Sequence, residues 1–369
     1  MKQVNLSEDK STVELGMGLT WADAYKELSK DGVNVVGGRV SGPGVGGLTL
    51  GGGYSWKTNQ FGLTCDTVRA YNVVLPNGTI TTASASTNTD LFFALKGGLN
   101  RFGVVTSIVY ETHPQPPKIW GGQRIYTGDK ADALLNATEV FSRTVTDPKA
   151  QVILTLEGLP VLSLTPVVLM FYDGPDPGDS FAMFDGIIPV SSGTLEQPFT
   201  TFVAAQATQL IQNNRGTSHT VSVSAVTLPL LEAVKAEVQS LTAQMALHSG
   251  SLVSGGVDPF LDYGQYATDS AYPHADSPLL VSVYCAWGLT IDDEFWINSV
   301  KQSIANIKQV AIKEGIFKDS FTAYPNYAIG DMTAEELYGT ANAARLRAIR
   351  ASVDPDGVME LAGGFSLQH

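Results

Sequence analysis

Glycine is unevenly distributed in this chain of 369 residues, because eleven of its 37 glycines lie in the stretch from Gly32 to Gly62. Glycine destabilises the interiors of both helices and strands, so this segment predicts turns and irregular backbone. From Gly37 onward its only charged side chains are Arg39 and Lys57. Two interpretations stay open. The segment forms tight turns between strands, or its bare backbone N–H groups approach an anionic ligand closely, with Arg39 as the local cation.

A dinucleotide fingerprint is a nominal third interpretation. Gly42, Gly44 and Gly47 have the G-x-G-x-x-G spacing, but the Rossmann motif also requires a helix to follow at once. The three glycines at 51–53 are expected to interrupt any helical run. The sequence therefore predicts that no helix follows, and a Rossmann site is rejected.

Regular elements are predicted on both sides of the glycine segment. Thr20 and Asp23 have the capping-box spacing, so a helix is expected to begin there and to end at Gly32. Beyond the segment, residues 68–75 and 79–83 flank Pro76-Asn77-Gly78, which predicts a hairpin with the type I′ turn that Asn-Gly favours.

The remainder of the chain predicts helices interleaved with strands, as in an α+β fold. Asp129 is expected to cap a helix, and Pro160 to separate two strands. The predicted elements are strands at 103–113, 152–157, 161–172 and 279–289 and helices at 129–141, 228–247 and 295–310. Phe171, Tyr284 and Trp287 lie on strand-like runs and are expected in the core rather than in a pocket.

Composition excludes several classes of protein. The formal net charge is −13, which repels phosphate backbones and anionic lipid, so neither nucleic acid nor a membrane surface is an expected partner. Cys65 and Cys285 are the only cysteines, too few for a disulfide framework or a clustered zinc site, and no metal is expected. The first residues contain no apolar signal core. A small neutral or basic ligand remains the expected partner.

Several motifs occur in the order typical of one flavoprotein superfamily. They are GLTWADAYKEL, VVGGRVSGPGVGGLTLGGGYS, FGLTCDTVRAYNVVLPNG, DLFFALKGGLNRFGVVTS, YPNYA and VDPDGVM. This series resembles the PCMH-type FAD-binding domain of the vanillyl-alcohol-oxidase superfamily, most closely that of fungal berberine-bridge-enzyme-like oxidases.

The resemblance implies a PCMH-type FAD-binding domain followed by an α+β substrate domain with an antiparallel sheet. The implied bounds are 1–116 for the FAD domain, 117–315 for the substrate domain, and 316–369 for a segment that returns to the FAD domain. The implied activity is oxidation of an alcohol, a sugar or a secondary metabolite, with hydride transfer to flavin N5 and molecular oxygen as acceptor.

The resemblance also assigns residues to the cofactor. It implies that Asn326 lies near the flavin ring and that Tyr324 or Tyr327 is the catalytic base. A phenol titrates near 10, so either tyrosine would need a neighbouring cation or donor; the alternative is a buried ring with a satisfied hydroxyl. The other positions implied to contact FAD are Gly44, Gly46, Gly47, Gly52, Gly53 and Val105.

Departures from the family pattern concern the covalent bonds to flavin. Relatives begin with a further segment that contains an Arg-Ser-Gly-Gly-His-like loop and the histidine bonded to flavin, and this segment is expected to be missing here. Val40 occupies the position of the second attachment cysteine, and Cys65 is expected to be a buried apolar side chain. FAD is therefore expected to bind noncovalently. Pro43 occupies a position that controls oxygen access in relatives, so oxidase and dehydrogenase both stay open.

Three hypotheses of function follow. The first is an FAD-dependent oxidoreductase acting on a small molecule. The second is a truncated, non-catalytic remnant that does not hold FAD, and the third, weaker one is a sugar-binding module without redox activity.

Overall fold

A computed structural model describes residues 1–161, 164–205 and 214–367. Its first part holds one five-stranded antiparallel sheet, in the order β1-β2-β6-β4-β5. The elements of this part are β1 (Val4–Leu6), β2 (Thr12–Gly16), α1 (Trp21–Leu28), β3 (Val33–Asn34), α2 (Val45–Leu50), α3 (Thr58–Phe61), β4 (Val68–Val74), β5 (Ile80–Ser84), α4 (Thr89–Leu95), β6 (Val104–Glu111) and β7 (His113–Pro114).

The second part holds a larger antiparallel sheet, in the order β11-β8-β10-β9-β14-β15-β13, with β12 also paired to β8. Its elements are β8 (Ile119–Ile125), α5 (Ala131–Thr144), β9 (Ala150–Gly158), β10 (Thr165–Tyr172), β11 (Ser191–Ser192), β12 (Leu195–Gln197), α6 (Phe199–Ala204), β13 (Arg215–Val223), α7 (Leu228–Gln244), β14 (Gly250–Asp258), β15 (Leu279–Trp287), α8 (Asp293–Lys313) and α9 (Ala334–Val353). Helix α9 is interrupted at Gly339.

Each sheet has a core of its own. The five-stranded sheet packs with α1, α4 and α9, through buried side chains such as Trp21, Phe93 and Leu346. The eight-stranded sheet turns one face to α5, α7 and α8, where Leu154 and Val283 are fully buried. Because α9 follows the second sheet in sequence but packs in the first core, the chain returns to its first part at the end. The fold is α+β, as predicted.

Most of the predicted elements are present. Helix α1 begins at a true capping box, in which the Asp23 N–H donates to Thr20 Oγ1 and the Thr20 N–H donates to the Asp23 carboxylate, both at 3.2 Å. The predicted strand at 161–172 is observed as β10, and its residues 162 and 163 lie outside the described ranges. The other predicted strands and helices match β6, β9, β15, α5, α7 and α8 within a few residues.

Three local predictions are wrong. A helix, α2, does follow Gly44. Its Thr49 side chain donates to the Val45 carbonyl and lies within hydrogen-bond distance of the Tyr110 hydroxyl. Tertiary contacts therefore stabilise six helical residues despite their glycines. The hairpin of β4 and β5 is confirmed, but only Gly78 has a positive φ, so its turn is not type I′. Asp129 does not cap α5, because its carboxylate binds Thr127 and Lys130 instead.

A buried ion pair joins the glycine segment to the larger sheet. The Lys57 ammonium, which has no exposed side-chain surface, contacts the Asp173 carboxylate just after β10. Gln60 also donates to this carboxylate, at 3.1 Å. Burial lowers the pKa of Lys57, although Asp173 opposes that effect. The Lys57 side chain is completely buried and that of Asp173 is only 6% exposed, so each charge depends on the other.

Replacing Lys57 by Met tests this pair. The variant leaves the Asp173 charge buried and uncompensated, so we expect a loss of about 3–5 kcal/mol in the free energy of unfolding, measured by urea titration. The double variant Lys57→Met, Asp173→Asn removes both charges and is expected to recover a large part of that loss. Exposed Lys149→Met is the matched control, expected to change stability by under about 0.5 kcal/mol. An equal loss in the single and double variants would show that the two charges are not coupled.

Candidate active site

A cavity of about 700 Å³ lies between the glycine segment and the free face of the larger sheet. Side chains alternate across a strand, so residues two apart share one face. Ile153 and Thr155 of β9 line the cavity, whereas the alternate residues Val152 and Leu154 are buried in the core. The cavity floor is therefore the face of the sheet opposite to α7 and α8.

Small polar residues form the middle of this floor. Thr155, Gly256 and Ser282 are in register across β9, β14 and β15. A neighbouring row joins Ser254 to Tyr284. These short side chains leave room above the sheet for a ligand.

The opposite wall is made by the start of helix α2. Gly44 and Gly47 line the cavity, together with Val40, Pro43 and Leu48. A Cβ atom added to Gly47 would meet no atom within 4 Å, so the backbone there borders open space. This part of the wall is free of side chains and suits the close approach of a planar group.

The remaining predicted cofactor glycines lie outside the cavity lining. Gly46 faces Met17, since a Cβ there would be 2.8 Å from the sulfur. Gly52 and Gly53 have φ angles of +105° and +91°, which favour glycine in the turn behind the wall. Val105 lies in β6, packed in the first core, and is likewise not a cavity residue.

Residues 324–327 close one side of the cavity. Asn326 Nδ2 donates to the Leu48 carbonyl and to the Tyr324 hydroxyl, both at 2.9 Å. The Gly53 N–H donates to the same hydroxyl at 3.2 Å. These bonds tie the segment to the glycine wall, and Tyr324, Asn326 and Tyr327 all line the cavity.

Gly51 is a site residue that sequence reasoning missed. A Cβ at this position would lie 2.1 Å from the Asn326 Oδ1 atom. Only glycine therefore leaves room for the amide of Asn326 beside the wall. Gly51 is the first of three consecutive glycines in the sequence, but its partner Asn326 lies 275 residues away.

Arg39 is also in the cavity, and its charge is balanced. One guanidinium nitrogen, Nη1, lies 2.9 Å from the Asp258 carboxylate at the end of β14, and Nη2 donates to the Tyr327 hydroxyl at 3.2 Å. Burial of the guanidinium disfavours its charge, but Asp258 and Tyr327 outweigh that cost and the pKa of Arg39 is raised. The local cation is thus already paired within the protein. Asp258 was not among the predicted site residues.

The two candidate tyrosines have different environments. Tyr324 is fully buried. Its burial is the main cause that raises its pKa, and the neighbouring Tyr327 adds to the effect, so the Tyr324 phenol stays protonated. Tyr327 instead accepts a hydrogen bond from a permanent cation, the partner that a phenol needs to act as a base. Ser218 Oγ fixes its backbone by donating to the Tyr327 carbonyl at 3.1 Å.

Three further predictions about side chains have clear outcomes. Phe171 and Trp287 are buried in the core, as expected. Tyr284, in contrast, lines the cavity, so the expectation that it is a core residue is wrong. Cys65 is fully buried, which confirms its interpretation as an apolar side chain.

Two kinds of feature are absent from the described residues. Within the described ranges, no cluster of three or more His, Cys, Asp or Glu side chains has the geometry to hold a metal ion. No helix in the described part of the chain has the length and apolar content to cross a bilayer.

Comparisons with known proteins agree with this geometry. The family model "FAD binding domain" matches residues 1–84, and "Berberine and berberine like" matches residues 323–362. FAD-dependent monooxygenase tpcD of Cochliobolus heterostrophus is 32% identical over 381 residues, covering 97% of this chain and 72% of the relative. An uncharacterized FAD-linked oxidoreductase of Arthroderma benhamiae is 40% identical over 216 residues, which cover 58% of this chain and 43% of that protein.

Solved structures show the same fold. The crystal structure of 6-hydroxy-D-nicotine oxidase from Arthrobacter nicotinovorans has a TM-score of 0.80 at 20% identity, over 97% of this chain and 79% of the other. The fold is thus that of PCMH-type FAD-linked oxidoreductases. Together with the sequence relatives, it shows that the chain belongs to the berberine-bridge-enzyme-like family.

The cavity residues fit the cofactor of this family. Gly44 and Gly47 bring no side chain to the wall, and a Cβ at Gly47 would enter the open space beside it. Asn326 adds an amide at the edge of the same wall. We therefore assign these three residues to the flavin part of FAD as a prediction.

A Gly47→Leu variant separates folding from ligand binding. The new side chain enters open space inside a helix, so we expect stability to be kept or raised by up to about 1 kcal/mol, while FAD binding falls at least about tenfold. Thermal unfolding and fluorescence titration with FAD measure the two effects. Gly330→Leu is the matched control, because a Cβ there also meets nothing within 4 Å but lies outside the cavity. Unchanged FAD affinity in Gly47→Leu would contradict the assigned wall.

Proposed function

We propose that this chain binds FAD noncovalently and oxidises a hydroxyl group of a small molecule in the cavity, with Tyr327 as the base and oxygen as the final electron acceptor. The observation that carries the proposal is the hydrogen bond from Arg39 to the Tyr327 hydroxyl inside the cavity. When bound, FAD supplies a two-electron acceptor at N5 and passes the electrons on to oxygen.

The proton step falls to Tyr327. Tyr327 acts as the base in its ionised form: its oxygen takes the proton of a substrate hydroxyl placed beside it and becomes the neutral phenol, while the hydride of the adjacent C–H bond goes to FAD. The adjacent guanidinium donates a hydrogen bond to the Tyr327 oxygen at 3.2 Å, so a cationic group lies next to the atom that handles the proton. Asp258 keeps Arg39 in place, at 2.9 Å. Arg39 itself stays protonated and cannot serve as the base.

The rest of the cavity orients the substrate and excludes water. Trp56, Leu169 and Ile153 supply apolar surface. The Trp56 indole N–H donates to the Arg39 carbonyl at 2.9 Å, which holds the ring against the wall. Low polarity around the Arg39 and Tyr327 pair strengthens its electrostatic effect.

Noncovalent attachment is supported by the cavity lining. Among the described residues that line it, none is histidine or cysteine. Val40 occupies part of the wall, and Cys65 is fully buried behind it. Neither side chain offers a nucleophile to a flavin placed on this wall.

The absorbance spectrum of the purified chain tests cofactor binding. We expect an absorbance band of flavin at about 450 nm, either in the protein as purified or after addition of FAD. Acid precipitation is expected to release all of the flavin into the supernatant, because no covalent bond holds it. Flavin retained in the pellet would contradict noncovalent attachment. A chain that neither carries nor takes up FAD would overturn the proposed function and favour the remnant hypothesis.

A Tyr327→Phe variant tests the base. We expect a loss of about 10²–10⁴-fold in the rate of flavin reduction by an alcohol substrate, with FAD affinity unchanged. Tyr284→Phe is the matched control, since it also removes a phenol from the cavity but one without the Arg39 contact. Stopped-flow measurement under anaerobic conditions gives the rate. Equal rates in Tyr327→Phe and Tyr284→Phe would exclude Tyr327 as the base.

A further inference from the structure

One carboxyl group on the cavity side of the larger sheet has no use in the mechanism. Glu157 lies near the end of β9, two and four residues after the cavity residues Thr155 and Ile153. Residues two apart on a strand share a face, so Glu157 belongs to the face that forms the floor. Its cross-strand partner on β14 is Ser254, which lines the cavity, so Glu157 lies at the border of the lining rather than within it.

Glu157 has no hydrogen-bond or ion-pair partner among the described residues, although its side chain is half-buried. Burial raises its pKa, and no other group opposes that effect. A half-buried carboxyl without a partner is costly unless a ligand supplies one.

The charges that line the cavity itself cancel. Arg39 and Asp258 form a buried pair of opposite sign, and no other charged side chain lies in the cavity lining that the structure describes. Glu157 is therefore an uncompensated carboxyl next to the lining residues Thr155 and Ser254. A ligand with a negative group would be repelled there, whereas a cation would be attracted.

The cavity floor extends along β14 from Ser254, the cross-strand partner of Glu157, to Asp258, which binds Arg39. Ser254 and Asp258 are four residues apart on β14, which corresponds to roughly 13 Å along a strand. The residue between them on the same face is Gly256, which has no side chain, so the floor is low at that point. The opposite apolar surface includes Trp56 and Leu169.

We propose that Glu157 is a specificity residue that selects substrates with a protonated amine at the end remote from the oxidised hydroxyl. This inference rests on the proposed function, because Tyr327 sets where the hydroxyl lies. The substrate class is then an apolar body of about two rings, with an alcohol at one end and a basic nitrogen at the other.

Two probes of equal shape test this inference. One is a biphenyl-methanol that carries an aminomethyl group at the far para position, and the other carries an ethyl group there. Equilibrium binding to the full chain, measured by calorimetry at neutral pH, is expected to be about tenfold tighter for the amine. In Glu157→Gln the two probes are expected to bind within about twofold of each other, and Glu157→Asp keeps part of the preference. Exposed Glu232→Gln is the control for net charge.

The outcomes separate the two proposals. Equal binding of both probes to the unaltered chain, or failure of the amine to bind, overturns the role of Glu157. A preference that survives in Glu157→Gln overturns it as well. If the amine binds with a Glu157-dependent preference but neither probe reduces flavin, the specificity residue stands and the proposed oxidation fails.

Discussion

The buried pair of Arg39 and Asp258 is the contact on which the site depends. It joins the glycine segment to the end of β14, and both side chains are less than 10% exposed. A charge taken out of water must be matched closely by its partner, so this pair fixes how the glycine wall faces the sheet. The second hydrogen bond of Arg39 extends the same constraint to Tyr327. Three segments far apart in the sequence thus meet at one guanidinium group.

The environment distinguishes two tyrosines that the sequence left equivalent. Tyr324 and Tyr327 lie in one short motif, with ring centroids 5.1 Å apart. The first accepts bonds from an amide and from a backbone N–H, which hold the motif in place. Tyr327 instead accepts a hydrogen bond from the Arg39 guanidinium. Spacing along the chain contains no information about this difference, because Arg39 is 288 residues away from Tyr327.

Local patterns in the sequence predicted the elements whose stability is local. The capping box at Thr20 and the alternation in β9 and β15 each depend on neighbouring residues, and each is present. Helix α2 could not be predicted in this way, since Thr49 and Val45 are stabilised by burial against other elements. Asp258 and Gly51 were missed for the same reason: each matters through a partner that only the fold brings near. The family motifs include residues of the cavity wall and of its closing segment, but not the carboxylate that balances Arg39.

The alternation of side chains in the larger sheet separates stability from ligand choice. On β14 and β15, Val257 and Val281 pack in the core, while Gly256 and Ser282 face the cavity. A substitution on the cavity face leaves the valine packing untouched, so its effect on folding is expected to be small. The same strands can therefore acquire new side chains toward the ligand one at a time. A scaffold of this kind permits substrate preference to diverge among relatives while the fold is retained.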